Sequence, residues 1–370
     1  LAERLGQTEA TLCWSSEGKK EVFVLSENNL DATLQQMLSI VSKRFGTDLI
    51  TAVGHRIVHG GEKFIKPTLL NTSILDEIAS ISHLAPLHNP ANLSGVRAAM
   101  KLFPRLPHIA VFDTAFHHAM PSHAYMYAVP YQWYREYGVR RYGFHGTSHH
   151  YVAQAAADIL GYKLNDCQLI TVHLGNGCSA TAVKNGVGVD TTMGMTPLEG
   201  LVMGTRSGDV DPGMHDYITK QSGDSLEAVT ASLNSKSGLL GLSEKSNDMR
   251  TLLAASEAGE EKPQLAINLF CYRLAKAIAA LTVALERLDG LVFTGGIGEN
   301  ADTIREKTCL QLTSIGIKLD TQKNQQHGHL SNGYISQSGA KTPVLVIATD
   351  EEWMIAKYVA STLHNRSNNA

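Results

Sequence analysis

Short apolar runs rich in β-branched residues alternate along this chain with longer stretches of helical periodicity, and several of the runs stop abruptly at glycine or at one polar side chain. Strand runs interleaved with helices place the chain in the α/β class. The pattern predicts strands over 21–25, 49–53, 108–112, 169–173, 290–294 and 344–348. It predicts helices over 30–45, 92–103, 149–160, 265–288 and 351–363. Ser148 stands where its hydroxyl can cap the helix that starts near residue 149.

A chain of 370 residues exceeds the roughly 250–300 residues at which one core stops growing, so two domains are expected. Hydrophobic residues at 43% against 18% charged describe a folded chain rather than a disordered one. The net charge of −3 supplies no basic field for nucleic acid or an anionic membrane, and neither partner is expected. Cys13, Cys167, Cys178, Cys271 and Cys309 are scattered and never in C-x-x-C spacing, which excludes a disulfide framework or zinc ribbon and fits a reducing cytoplasm. The apolar stretch 275–285 contains Lys276 and Thr282 and is too short to span a bilayer, so it reads as a buried helix. The first residues, Leu-Ala-Glu-Arg, carry no signal-peptide pattern.

A long-range echo runs through the chain. One strand run leads into His55-Arg56-x-x-His59-Gly60-Gly61 and another into His173-Leu174-Gly175-Asn176-Gly177, while Val111-Phe112-Asp113-Thr114 is matched by Val292-Phe293-Thr294-Gly295. Two halves built alike would produce it, and so would coincidence on matches this short. The domain division is expected at 1–114 plus 351–370 for an N-terminal domain and 115–350 for a C-terminal one.

Chemistry is expected where glycine follows a strand, because backbone N–H groups there can approach an anion with no Cβ in the way. His173–Gly177 and Gly295-Gly296-Ile297-Gly298-Glu299-Asn300 both fit, the second with a helix following, although each alone also reads as a plain tight turn. Neither G-x-x-x-x-G-K-[ST] nor G-x-G-x-x-G occurs, so a nucleotide needs another cradle. Arg56 and Arg206 stand in glycine-rich, low-charge settings suited to a phosphate or carboxylate, or else are ordinary solvated arginines. Asp113 ends an apolar strand and suits magnesium, proton acceptance or capping of the next segment. Twelve of the 16 histidines lie between His55 and His173. The pairs His55/His59 and His145/His149 raise zinc binding, but both segments contain glycine and neither reads as helical throughout. His145 reads instead as a neutral or cationic donor beside an anion, and His117, His118 and His150 are given no role. Glu351 opens the last helix, where it complements the helix dipole or ligates magnesium.

Assembled in order, these segments resemble the acetate kinase (acetokinase) family over nearly the whole chain. The resemblance rests on Gly54–Gly61 (GHRIVHGG), Ala85–Pro90 (APLHNP), Val111–His117 (VFDTAFH), Arg141–His149 (RYGFHGTSH), His173–Gly177, Met193–Gly208 (MGMTPLEGLVMGTRSG) and Phe293–Asn300 (FTGGIGEN). It implies two duplicated ribonuclease H-like domains of the actin, sugar kinase and heat-shock ATPase type around a cleft. It also implies a cytoplasmic homodimer that transfers phosphate in line from ATP to acetate, with Mg2+, or Mn2+ in its place. By residue, it implies that Arg56 binds the carboxylate, that Asp113 is the essential acid, and that His145 and Arg206 stabilise the transition state. Val58, Leu87, Phe144 and Pro197 would enclose the methyl group, and Glu351 would ligate the metal. His173, Leu174, Gly175, Asn176 and Gly177 would contact phosphates. Asp248, Met249, Arg250, Gly296, Ile297, Gly298, Glu299 and Asn300 would hold adenosine.

Three departures stand beside the resemblance. The family's Asn-x-Gly-Ser-Ser-Ser-x-Lys strand has no match, Trp14–Lys19 (WSSEGK) being different, and the expectation is that it lies upstream of Leu1. Asp350 replaces a frequent Asn, and Met249 occupies a variable position. The competing readings are a propionate or butyrate kinase of the same fold, a non-catalytic nucleotide-binding protein, and a zinc hydrolase.

Overall fold

A computed structural model describes residues 2–3, 10–16, 19–25, 29–46, 49–86 and 88–367. The chain divides into two units. The first comprises Leu1–Gly60, Lys66–Phe112 and Ile355–Ala370, and the second Gly61–Ile65 and Asp113–Met354.

In the first unit, β1 (Ala2–Glu3), β2 (Thr11–Ser16) and β3 (Lys19–Val24) form an antiparallel sheet followed by the helix Leu30–Phe45. A second sheet has β4 (Val53–Ile57), β5 (Thr68–Leu69) and β6 (His108–Phe112) in the order β4-β6-β5. All five residues of β6 are buried, as expected of a central strand made only of His, Ile, Ala, Val and Phe. β4 runs parallel to β6, with Arg56 opposite Val111 and Ile57 opposite Phe112. Gly54 is a packing requirement: a Cβ there would sit 2.6 Å from Ile355 Cγ2 of the C-terminal helix Glu351–Ser367.

The strand expected over 49–53 is displaced toward the C-terminus. Pairing starts at Val53, and Leu49 is 72% exposed. The ladder instead follows the polar residues, because His55 meets His108 across it at 2.9 Å (Nε2 to Nδ1). Burial, with His108 alongside, lowers the pKa of His55 to about 4, which keeps the His55 ring neutral.

The second unit carries a five-stranded sheet of β7 (Gln168–Leu174), β8 (Cys178–Lys184), β9 (Val187–Thr191), β10 (Gly290–Thr294) and β11 (Val344–Val346), in the order β11-β10-β7-β8-β9. β10 is parallel to both β7 and β11, while β7, β8 and β9 form an antiparallel meander. The helix Gly146–Leu160 covers one side through Val152, Ala153, Ala156 and Ala157, all at 0% exposure, against Leu169, Val183, Val292 and Leu345. Alanine at these helical spacings lets the backbone lie close to the sheet. The helix expected over 265–288 runs over Glu261–Leu281 and buries the face containing Phe270, Leu274 and Ile278. It closes in a 3-10 turn, Thr282–Ala284, because the apolar run beyond it faces water: Val283 is 89% exposed.

Register explains why two glycine turns lie side by side. Thr294, the last residue of β10, is opposite His173 in β7, so the turns that follow the two strands emerge from one edge of the sheet. Gly295 adopts φ +76°, and a Cβ on it would press against the Leu174 carbonyl at 2.7 Å.

Candidate active site

His145 sits at the start of the helix Gly146–Leu160 in the left-handed region, φ 56°, which costs a non-glycine residue on the order of 1 kcal/mol or more. The helix therefore begins three residues before the position predicted. Ser148 is buried inside the first turn rather than capping it, bonded to His173 Nδ1 at 2.8 Å and Thr349 Oγ1 at 2.9 Å. The segment 145–149 is therefore not helical throughout, as expected, although only His145 lies outside the helix.

The His145 ring is held on two sides. Its Nδ1 is 2.8 Å from Ser179 Oγ, and its plane stacks on His173 with centroids 4.4 Å apart. The opposite nitrogen faces Gly177: a Cβ on Gly177 would sit 3.2 Å from His145 Nε2 and 3.3 Å from Arg206 Nη2. Residues from a helix start, a hairpin turn and a distant loop thus meet at one point, with glycine leaving the space there.

Arg206 reaches that point because its loop is tied down. Nη1 donates to the Pro197 carbonyl at 2.8 Å, and Gly204 N donates to the Asn176 carbonyl at 3.0 Å. The helix Gly238–Ser243 takes the carbonyls of Met203 and Gly204 onto its own N–H groups. Among the described residues no carboxylate pairs with Arg206, and burial lowers its pKa. A guanidinium in that state gains most from an anion. Burial also pushes the neighbouring Cys178 thiol up to about 12, which makes it inert.

The other expected site residues fall around this point or in the first unit. Asn176 Oδ1 accepts from Asn247 Nδ2 at 3.1 Å, bringing the turn before Asp248 to the hairpin. Asp248 caps the helix Met249–Glu257, accepting from Arg250 N at 2.9 Å and pairing with the Arg250 guanidinium, while Met249 is buried. In the helix Gly295–Asn300, Gly296 has open space around it. Glu299 turns inward, its Oε1 accepting from Gly295 N, Thr294 Oγ1 and Thr349 N. Asp113 is 1% exposed, and its carbonyl accepts from Gly146 N at 3.1 Å. Phe144 is buried beside His145 in sequence, and Pro197 supplies its carbonyl to Arg206. Arg56 and Val58 belong to the first unit, where Val58 N donates to Asn92 Oδ1. Leu87 lies outside the described residues. Glu351 opens the helix Glu351–Ser367. Among the described residues no three His, Cys, Asp or Glu side chains form a metal cradle.

Several residues that shape the site were not singled out from sequence. Arg141 donates to the carbonyls of Thr191, Thr192 and Met193 and pairs with Glu199, which Tyr127 also contacts, so it pins the loop leading to Arg206. Arg305, fully buried, donates to the carbonyls of Gly298 and Glu299 and so holds the second glycine turn from behind. Ser179 stands behind His145 and is joined there by His149, which the sequence marked only through its four-residue spacing from His145 as a zinc pair.

A sheet edge with two glycine turns and a half-buried arginine, paired with no carboxylate among the described residues, suits a phosphotransferase, and the comparisons with known proteins agree. The model of the Acetokinase family matches residues 1–357. Curated acetate kinases from Deinococcus radiodurans and Pseudomonas aeruginosa (strain LESB58) are each 51% identical, covering 99% and 96% of this chain and 92% and 90% of their own. Among solved structures, a propionate kinase from Francisella tularensis subsp. tularensis SCHU S4 has a TM-score of 0.91 at 42% identity, covering 96% of this chain and 91% of its own. Acetate kinase from Porphyromonas gingivalis gives 0.89 at 41%, covering 98% and 92%. Fold and relatives together define a kinase of the two-domain, actin-like α/β class. The chain belongs to the acetokinase family.

Proposed function

We propose that this protein transfers the γ-phosphoryl group of ATP directly and in line to acetate, giving acetyl phosphate and ADP, and that the reaction runs in both directions. The observation that carries the reading is the meeting of His145 Nε2 and Arg206 Nη2 over Gly177. A carboxylate and a triphosphate repel each other, so transfer needs donors aimed at the equatorial oxygens, where charge spreads in the transition state. Arg206 and His145 supply them, the hairpin His173–Gly177 offers its backbone to the phosphates, and Asp248–Arg250 with Gly296–Asn300 receive adenosine. Arg56 pairs with the acetate carboxylate, and Asp113 serves as the acidic group at the reacting centre. Val58, Leu87, Phe144 and Pro197 enclose the methyl group.

Mg2+, or Mn2+ in its place, fits this donor set. Magnesium is normally held by one or two carboxylates plus substrate phosphates rather than by a protein cage, and no such cage exists among the described residues. Glu351 would ligate it, and when bound it neutralises phosphate charge. The reading includes a homodimer and a cytoplasmic location, the latter in keeping with the buried thiols Cys167, Cys178, Cys271 and Cys309, none in a disulfide.

Propionate is the second candidate acceptor, and the name of the Francisella tularensis relative favours it. One methylene changes selectivity by only about 1–3 kcal/mol. Acetate is preferred because the relatives at 51% identity are named acetate kinases, against 42% for the propionate kinase. Trapping acyl phosphate as the hydroxamate with full-length protein, ATP and Mg2+ tests the reading. Acetate should give the higher kcat/KM. A preference for propionate would replace the acceptor, and no hydroxamate with any short acid would overturn the function.

A further inference from the structure

Behind His145 lies a buried chain of hydrogen bonds. Ser179 Oγ is 2.8 Å from His145 Nδ1 and 2.8 Å from His149 Nε2, and His149 Nδ1 is 2.8 Å from Thr171 Oγ1. Thr171, Ser179 and His149 are all at 0% exposure. Out of reach of bulk solvent, each proton on this chain is placed by the buried acceptors beside it.

The proton count has one satisfactory solution. Burial drives the His149 pKa far below its usual value, so the ring is neutral and carries a single N–H. Among the described residues, the only hydrogen bond of the Thr171 hydroxyl is to His149 Nδ1. If that nitrogen carried the proton, the Thr171 O–H would be buried with no acceptor, at about 1–3 kcal/mol. Thr171 must therefore donate to Nδ1, and His149 keeps its proton on Nε2 and donates to Ser179. Ser179 has one proton left, and it points at His145 Nδ1.

We propose that Thr171, His149 and Ser179 act as positioning residues that hold His145 as the neutral tautomer with its single ring proton on Nε2, aimed at the point shared with Arg206. Putting a second proton on His145 would reverse the Ser179 hydroxyl, move the proton of His149 and strand the hydroxyl of Thr171. His145 then contributes a directed hydrogen bond, and the positive charge at that point comes from Arg206. The functional consequence rests on the phosphoryl-transfer reading given above, whereas the tautomer itself does not.

The test is the 15N spectrum of the histidine rings in the full-length, ring-labelled protein at pH 7.5, without nucleotide or acid. The His145 signals are assigned by their loss in His145→Gln. A protonated Nε2 with Nδ1 as a bare acceptor is expected in the wild type. In Ser179→Ala the Nδ1 signal should move as its donor disappears, and kcat should fall on the order of tenfold with KM for ATP unchanged. A doubly protonated ring or a proton on Nδ1 in the wild type would overturn the proposal, needing no variant to fold. An unmoved Nδ1 signal in Ser179→Ala would overturn it as well. The expected tautomer in a protein that forms no acyl phosphate would support the relay while removing the proposed function.

Discussion

Gly177 shows how one missing methyl group decides what a site can do. Its backbone φ lies outside the left-handed region, so alanine there is not strained by its own backbone. The added carbon would crowd His145 Nε2 and Arg206 Nη2, both tighter than ordinary van der Waals contact. Gly177→Ala should therefore lower kcat by roughly tenfold or more while the thermal midpoint stays near that of the wild type. An unchanged kcat would mean that no reacting group passes that point. At this scale the sequence was informative wherever a charged residue stood among glycines, as Arg206 does in Gly204–Gly208. It was silent about Ser179, a small polar residue in an apolar strand whose partners arrive from a helix and a neighbouring strand. It was also silent about Arg141 and Glu199, because ion pairing between motifs leaves no local pattern.

Elements are set by burial before chemistry. β6, β7 and β10 were legible as uninterrupted apolar runs because both their faces are covered, which removes the alternation that would otherwise mark a strand. β4 was not, since its ladder starts only at Val53 and continues through His55 and Arg56, beyond the run 49–52. Arg305 misleads in the opposite sense. In the helix Asp302–Leu310 it reads as a surface cation, yet all five of its N–H groups are used: on the carbonyls of Gly298, Glu299 and Asn324, on Asn324 Oδ1, and on His327 Nδ1. Those acceptors span residues 298–327, too far apart for periodicity to reveal. Arg305→Met should destabilise the fold by about 3 kcal/mol or more, because several buried acceptors lose their donor together. Urea unfolding measures this, and a loss under about 1 kcal/mol would show that the cluster is readily rehydrated.

At the scale of the whole molecule, buried neutral histidines tie stability to pH. His55 and His117 have pKa values lowered to about 4, chiefly by burial, and His149 lies well below its usual value for the same reason. Unfolding returns each to about 6.5, so below that pH the unfolded chain binds more protons than the folded one. Their contribution is complete above pH 6.5 and is lost as pH falls toward 4, at up to about 1.4 kcal/mol per pH unit for each histidine. The thermal midpoint should hold between pH 8 and 7 and drop steadily from 6.5 to 4.5. A flat profile across that window would mean that these rings are charged in the folded protein. The chain divides into two units, and Arg206 belongs to the second. The claim for Arg206 is that it acts on the phosphoryl group while that group moves, not on ATP at rest. Turnover with acetate and the ATP dissociation constant, measured together on Arg206→Ala, test it most directly. The expected result is a kcat lower by about 10²–10³ with ATP affinity unchanged, whereas near-wild-type turnover would contradict it.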